Sequence, residues 1–323
     1  MMPVMAAQRG PTPLRACCRH APRAEAQVVC DNCPMQAAVT PAVQDASAFV
    51  SIAHAGAPLR IEYGWIGAER RDRPLIVFLH EGLGSVAQWR GFPRRLCDAL
   101  QARGLVYSRP GYGRSTPRAA GERWGRDYLH RQAHEVLPAL LVALGIDARA
   151  APPWLFGHSD GGSIALLYAA RFPEAVAGAV VMAPHYMVEA VGLAGIARAR
   201  SAWLSGDLRE RLACVHDDPA SAFWGWCDAW LDPAFADWSI EAELPAIRCP
   251  LLALQGVDDD YGTLEQIRGI GRRVAHARVL ELPACGHAPQ RDQPQAVIDA
   301  TRALMQTCAA PPRAETPIED RVR

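Results

Sequence analysis

The sequence predicts an α/β fold: a mostly parallel central sheet flanked by helices, with a helical cap inserted into it. Three observations carry that reading. Short apolar runs recur along the chain (Leu75-Ile76-Val77-Phe78-Leu79, Trp154-Leu155-Phe156, Ala179-Val180-Val181-Met182-Ala183 and Pro250 to Gly256), as strands buried on both faces require. One of them runs into Gly157-His158-Ser159-Asp160-Gly161 and then into Gly162 to Ala169, which reads as strand, sharp turn and helix. Between Ala183 and Pro250 lie about 65 residues, too many for a plain crossover, and they carry helical spacing.

Taken in order, residues 1–47 are rich in Ala, Pro and Arg and show no sustained periodicity, so they read as a disordered, cysteine-containing tail. Cys17-Cys18-Arg19-His20 and Cys30-Asp31-Asn32-Cys33 are zinc-like residue types, but the first group lacks the two-residue spacing; a loose tail or an upstream extension is the preferred reading. Residues 48–183 and 246–308 form the α/β core. Within it, Leu105-Val106-Tyr107 is a strand leading into the glycine-rich Ser108 to Ser115 segment, and Tyr128 to Leu144 is a crossover helix stopped by Gly145. His130 and His134 on that helix are four apart, yet no third ligand accompanies them, and no metal is expected. Residues 184–245 form the helical cap, and 309–323 a flexible C-terminal tail. Five of the nine tryptophans fall in the cap: Trp203, Trp224, Trp226, Trp230 and Trp238.

At 323 residues, half of them hydrophobic, the chain can bury a full α/β core. The formal net charge is zero, so nothing electrostatic points to nucleic acid or to an anionic membrane surface. All basic residues are arginine, a compositional bias without functional content. No apolar run approaches the roughly 20 residues needed to span a bilayer, and residues 1–10 lack a signal-peptide core. The expectation is a cytoplasmic enzyme with its ten cysteines mostly reduced. The oligomeric state is not legible.

The chemistry starts at Ser159. A serine on a strained strand-to-helix turn projects its hydroxyl from the C-terminal edge of a sheet, and small neighbours make that turn feasible. It needs a base to take its proton and a carboxylate to orient that base. Both residue types follow downstream, each just past a strand: Val257-Asp258-Asp259-Asp260 after Pro250 to Gly256, and Gly286-His287 after Arg278 to Leu282.

With serine, acid and histidine in that chain order, residues 48 to 308 resemble the α/β-hydrolase fold superfamily. The resemblance implies Ser159 as nucleophile, His287 as base and, from the G-x-x-D spacing counted from Gly256, Asp259 as the acid, with Asp258 and Asp260 in competition. It implies an oxyanion hole made by the backbone N–H groups of Gly82 and Asp160. His80-Glu81-Gly82 departs from the usual His-Gly-X at Glu81, a carboxylate expected to be solvated or locally hydrogen-bonded. Asp160 is expected to serve its helix N-terminus electrostatically, and His80 and His158 to pack or hydrogen-bond within their loops. Ser108 to Ser115 matches the family's Asp-x-x-Gly-x-Gly-x-Ser turn with the leading aspartate missing. Trp89, His185, Tyr186 and Trp224 are the candidate substrate-pocket residues.

The implied activity is hydrolysis of a small-molecule carboxylic ester or lactone through an acyl-enzyme, without cofactor. A serine elbow separates the chain from the dehalogenases and epoxide hydrolases of this fold, which use aspartate there. Alternatives with the same residues are an acyltransferase or perhydrolase, and a carbon–carbon bond hydrolase of ring-cleavage products. The last would also need a carboxylate-binding cation such as Arg90, Arg198 or Arg200. A binding-only relative would be expected to lack one of the three residues.

Overall fold

The computed structural model describes residues 47–309. The cysteine clusters of the N-terminal segment and the tail after Ala309 lie outside the described residues.

Eight strands form one sheet: β1 (Ala48–His54), β2 (Ala57–Ile66), β3 (Leu75–Leu79), β4 (Arg103–Tyr107), β5 (Trp154–His158), β6 (Gly178–Met182), β7 (Leu251–Gly256) and β8 (Arg278–Leu282). Their spatial order is β1-β2-β4-β3-β5-β6-β7-β8. β2 runs antiparallel to β1 and β4, and the remaining pairs are parallel. β3, β5, β6 and β7 are buried at every position. Alternation across the pleat divides them between two cores: Val77, Leu155, Val181 and Ala253 face one, and Phe78, Phe156, Val180 and Leu254 the other. Covering both faces with helices is what an all-apolar parallel strand demands.

The helices are α1 (Phe92–Leu100), α2 (Tyr128–Arg131), α3 (Leu137–Ala143), α4 (Asp160–Arg171), α5 (Ala190–Ser205), α6 (Leu208–Ala213), α7 (Pro219–Trp230), α8 (Glu265–Arg273), α9 (Pro289–Asp292) and α10 (Pro294–Ala309). The crossover expected as a single helix over 128–144 is broken: Gln132–Val136 form a π turn between α2 and α3. Pro138 accounts for it, because a proline in a helix has no N–H to give and its ring crowds the carbonyl four residues back. Gly145, at φ +69°, ends α3 as expected. The β1–β2 hairpin is not announced by the sequence. Its turn is Ala55-Gly56, at φ +48° and +82°, a two-residue loop without the Asn-Gly or Asp-Gly that announces one.

Register sets where chemistry can occur. Leu79 pairs with Gly157, His158 with Met182, Met182 with Leu254 and Gly256 with Leu282. The C-terminal ends of β3, β5, β6, β7 and β8 therefore align along one sheet edge, and the loops that follow converge there. Helices α5, α6 and α7 lie between β6 and β7 in the chain. Among the described residues no helix is long and apolar enough to cross a membrane.

Candidate functional site

Ser159 sits between β5 and α4 with φ +51° and ψ −119°, a strained conformation for a residue with a side chain. Its neighbours show why the turn is written in glycine. A Cβ on Gly157 would collide with the Gly161 carbonyl, and one on Gly161 with the carbonyl of Leu79 in β3. The elbow thus packs backbone against backbone, and Ser159, 7% exposed, is left at the sheet edge.

Two loops meet it. Ser159 Oγ lies 3.0 Å from His287 Nε2, and His287 Nδ1 lies 2.8 Å from Asp259 Oδ1 and 3.0 Å from Oδ2. Asp259 also accepts from Tyr261 N–H at 2.8 Å and from Gln255 Nε2 at 3.0 Å, so its oxygens are fully engaged. Burial pushes the Asp259 carboxyl up, but the His287 ring and these donors outweigh burial and hold it below the usual carboxylate range. Burial likewise disfavours a charged His287, and the Asp259 carboxylate outweighs it, leaving the imidazole above its ordinary range. The neighbouring aspartates point elsewhere: Asp258 is exposed, and Asp260 accepts from Arg198 at 3.2 Å.

The backbone of His287 is itself held. His158 donates through Nε2 to the His287 carbonyl at 2.6 Å, while its Nδ1 faces Gln290 Nε2 at 3.1 Å and Glu81 Oε2 at 3.4 Å. Burial would raise the Glu81 carboxyl, yet the His158 ring overcomes that and brings it down to about 2. Glu81 therefore spans from the loop after β3 to the elbow. His80 bridges the Glu81 carbonyl (2.7 Å) and the Arg109 N–H (3.0 Å), and burial keeps its ring well below the ordinary imidazole range.

Gly82 and Asp160 lie on adjacent loops, after β3 and β5. The Gly82 amide has no hydrogen-bond partner among the described residues. Asp160 opens α4, where first-turn N–H groups have none within the helix. The Asp160 side chain does more than face a helix end: it accepts from Tyr128 O–H at 2.9 Å and Trp230 Nε1 at 3.3 Å, and pairs with Arg109 Nη2 at 3.5 Å. Burial shifts this carboxyl upward, opposed by Arg109 and the two donors.

Of the four candidate pocket residues, only His185 reaches the serine, with Nε2 3.5 Å from Oγ. Trp89, expected at the pocket, lies in the opposite core against Phe78 and Phe156, because its short helical turn folds beneath the sheet edge. Tyr186 is turned towards α8, its ring over Gly269 and beside Arg273, since successive residues leaving β6 point to opposite sides. Trp224 packs on Trp203 and Phe223 with Arg200 over its ring, on the face of α7 away from Ser159.

The rings that do line the centre come from elsewhere on that helix. Trp230 packs edge-on to His185 at 5.2 Å, and the indole Nε1 of Trp226 occupies the space that a Cβ on Gly82 would need. Tyr261 lies against His287 at 4.8 Å. The sequence carried one signal for the two tryptophans, their spacing of four, which places them on one helix face. Nothing marked Gln255. The missing aspartate of the Ser108 turn is also accounted for: Ser108 donates to Glu62 of β2 at 2.8 Å, and Glu62 also accepts from Arg114 N–H at 3.0 Å. A carboxylate from the neighbouring strand thus stands in for the absent one. His130 faces Glu243 at 3.4 Å, and no cluster of metal-ligating side chains exists among the described residues.

The profile of the alpha/beta hydrolase family matches residues 76–300, from β3 to within α10. The chain belongs to this family. No curated protein matches its sequence. Among solved structures, this alpha/beta hydrolase is similar to a thermophilic esterase from Thermogutta terrifontis (TM-score 0.63, 18% identity, 82% of this chain and 100% of that one). It is also similar to the enol-lactonase from Burkholderia xenovorans LB400 (TM-score 0.61, 21% identity, 80% of this chain and 100% of that one). A third is a meta-cleavage product hydrolase from Pseudomonas fluorescens IP01 (TM-score 0.60, 19% identity, 80% of this chain and 97% of that one). At these identities the likeness is one of fold.

Proposed function

We propose that this alpha/beta hydrolase cleaves a small-molecule carboxylic ester or lactone through an acyl-enzyme on Ser159. The observation that carries the reading is the unbroken line from Ser159 Oγ to His287 Nε2 (3.0 Å) and from His287 Nδ1 to Asp259 (2.8 Å). His287 takes the serine proton as Oγ bonds to the carbonyl carbon, and the Gly82 and Asp160 N–H groups receive the charge that develops on the carbonyl oxygen. His287 then protonates the departing alkoxide. Water follows the same path, losing its proton to His287 as it displaces Oγ and releases the acid. Trp226, Trp230 and Tyr261 form the apolar wall for the organic part of the substrate.

A carbon–carbon hydrolase is less favoured, because two of the arginines suited to its carboxylate are engaged, Arg198 with Asp260 and Arg200 with Trp224. The test is a panel of p-nitrophenyl esters, lactones and vinylogous diketones, assayed with wild type and Ser159→Ala. Ester or lactone turnover that falls by a factor on the order of 10⁴ or more in a folded variant is expected. A Ser159→Ala protein retaining near-wild-type rate on the best substrate overturns the reading.

A further inference from the structure

Two imidazoles face the Ser159 hydroxyl, and the mechanism above uses one. His287 Nε2 lies 3.0 Å from Oγ and His185 Nε2 3.5 Å, the two rings stacked with centroids 5.9 Å apart at 29°. His185 is locked in place. The chain leaves β6 through Ala183, at φ +45°, and Pro184, and then Ser163 of α4 clamps the His185 backbone twice, donating to its carbonyl at 2.6 Å and accepting from its N–H at 3.2 Å. Trp230 packs against the ring edge-on, and the residue is 7% exposed.

The tautomer follows from hydrogen-bond direction. The serine O–H is committed to His287, which must accept it in order to act as base. Oγ therefore turns a lone pair towards His185, and the form that satisfies it carries its proton on Nε2. A separation of 3.5 Å is long for a hydrogen bond to a resting serine. It leaves the Nε2–H for an oxygen standing just beyond Oγ, where attacking water or a departing alkoxide passes.

Resting on the reading of Ser159 as nucleophile, we propose that His185 is a second catalytic imidazole: a rigid, uncharged donor whose Nε2–H holds the oxygen that attacks or leaves the acyl carbon. It moves no proton. In deacylation the water proton goes to His287, the water oxygen bonds to the acyl carbon, the carbon–Oγ bond breaks, and His287 returns the proton to Oγ. His185 only fixes the line of approach. Its environment keeps it in that role: burial and then the adjacent His287 bring its pKa to about 3, with Asp259 opposing and His158 adding, so it does not compete as base.

The test compares two amides at position 185 with p-nitrophenyl acetate as substrate. A glutamine places an N–H near the position of Nε2, and an asparagine reaches only to that of Nδ1. His185→Asn is expected to lower kcat by about 10–100-fold, the range for losing one hydrogen bond to a charged group, with a burst of p-nitrophenolate as deacylation becomes limiting. His185→Gln is expected to recover most of that loss at a similar melting temperature. Equal behaviour of the two variants, both near wild type or both equally slow, overturns the proposal. Ser159→Ala run alongside separates the failures. Activity in that variant defeats the nucleophile itself, whereas an inactive Ser159→Ala with matching amide variants defeats only the role of His185.

Discussion

Asp259 raises the affinity of His287 for a proton, and the base proposed here must be neutral to work. The rate governed by that base therefore falls as pH drops through a value above the usual imidazole pKa of about 6.5. In Asp259→Asn the carboxylate no longer stabilises the imidazolium, so the acidic limb of the kcat/KM profile is expected to move to lower pH. Turnover is expected to fall by up to about 10⁴, because the amide favours the wrong tautomer. Asp258→Asn and Asp260→Asn should stay within roughly tenfold of wild type, since solvent-facing carboxylates contribute little. Full pH–rate profiles of the three variants check this; an unmoved limb in Asp259→Asn would show that the carboxylate does not tune His287. The three-aspartate run illustrates what a sequence can carry. Spacing from Gly256 singles out Asp259, but only the fold shows Asp260 drawn off by Arg198. Gln255, which steadies Asp259 from within β7, left no trace because a glutamine in a buried strand belongs to no pattern.

Elements were legible where periodicity was simple. The strands β3, β5, β6 and β7 announce themselves because burial on both faces leaves them almost wholly apolar. The hairpin of β1 and β2 does not, since one of its faces is wet and its turn lacks the usual residues. The π turn before Pro138 and the reach of Asp160 depend on how elements meet. Asp160 joins α4 to Tyr128 of α2, to Trp230 of α7 and to Arg109 after β4, and Arg109 is fully buried. Removing one member of a buried pair strands the other charge. Asp160→Ala should therefore cost about 3–5 kcal/mol in urea unfolding. Asp160→Asn should cost less, because its amide oxygen still accepts from the tyrosine or the tryptophan. Equal losses for the two variants would mean that the Arg109 charge is not held by this carboxyl.

At the scale of the whole molecule the helices between β6 and β7 meet the loop after β3 at the place of one missing side chain. The insertion and its wealth of tryptophan were visible in the sequence, but which rings reach the centre was not, because α7 displays aromatic residues on more than one face. Trp226 and Trp230 share a face, and Trp224, two positions from Trp226, looks away towards Trp203. The Trp226 indole then fills the place that a side chain at position 82 would take. Gly82 is also the residue whose N–H is proposed to receive the oxyanion, so a methyl group there must displace either the indole or the loop that aims the donor. Gly82→Ala is expected to lower kcat/KM by at least about tenfold, towards the 10²–10³ seen when an oxyanion donor is lost. Trp226→Ala is expected to lower it separately by opening the pocket. Combined, the two losses should fall short of their product by a coupling of about 0.5–3 kcal/mol, the range for residues in contact, because the alanine methyl then enters space the indole has vacated. Kinetics of the four proteins in the cycle measure this directly. Strictly multiplicative losses would mean that α7 does not seat Trp226 against the loop after β3 during turnover.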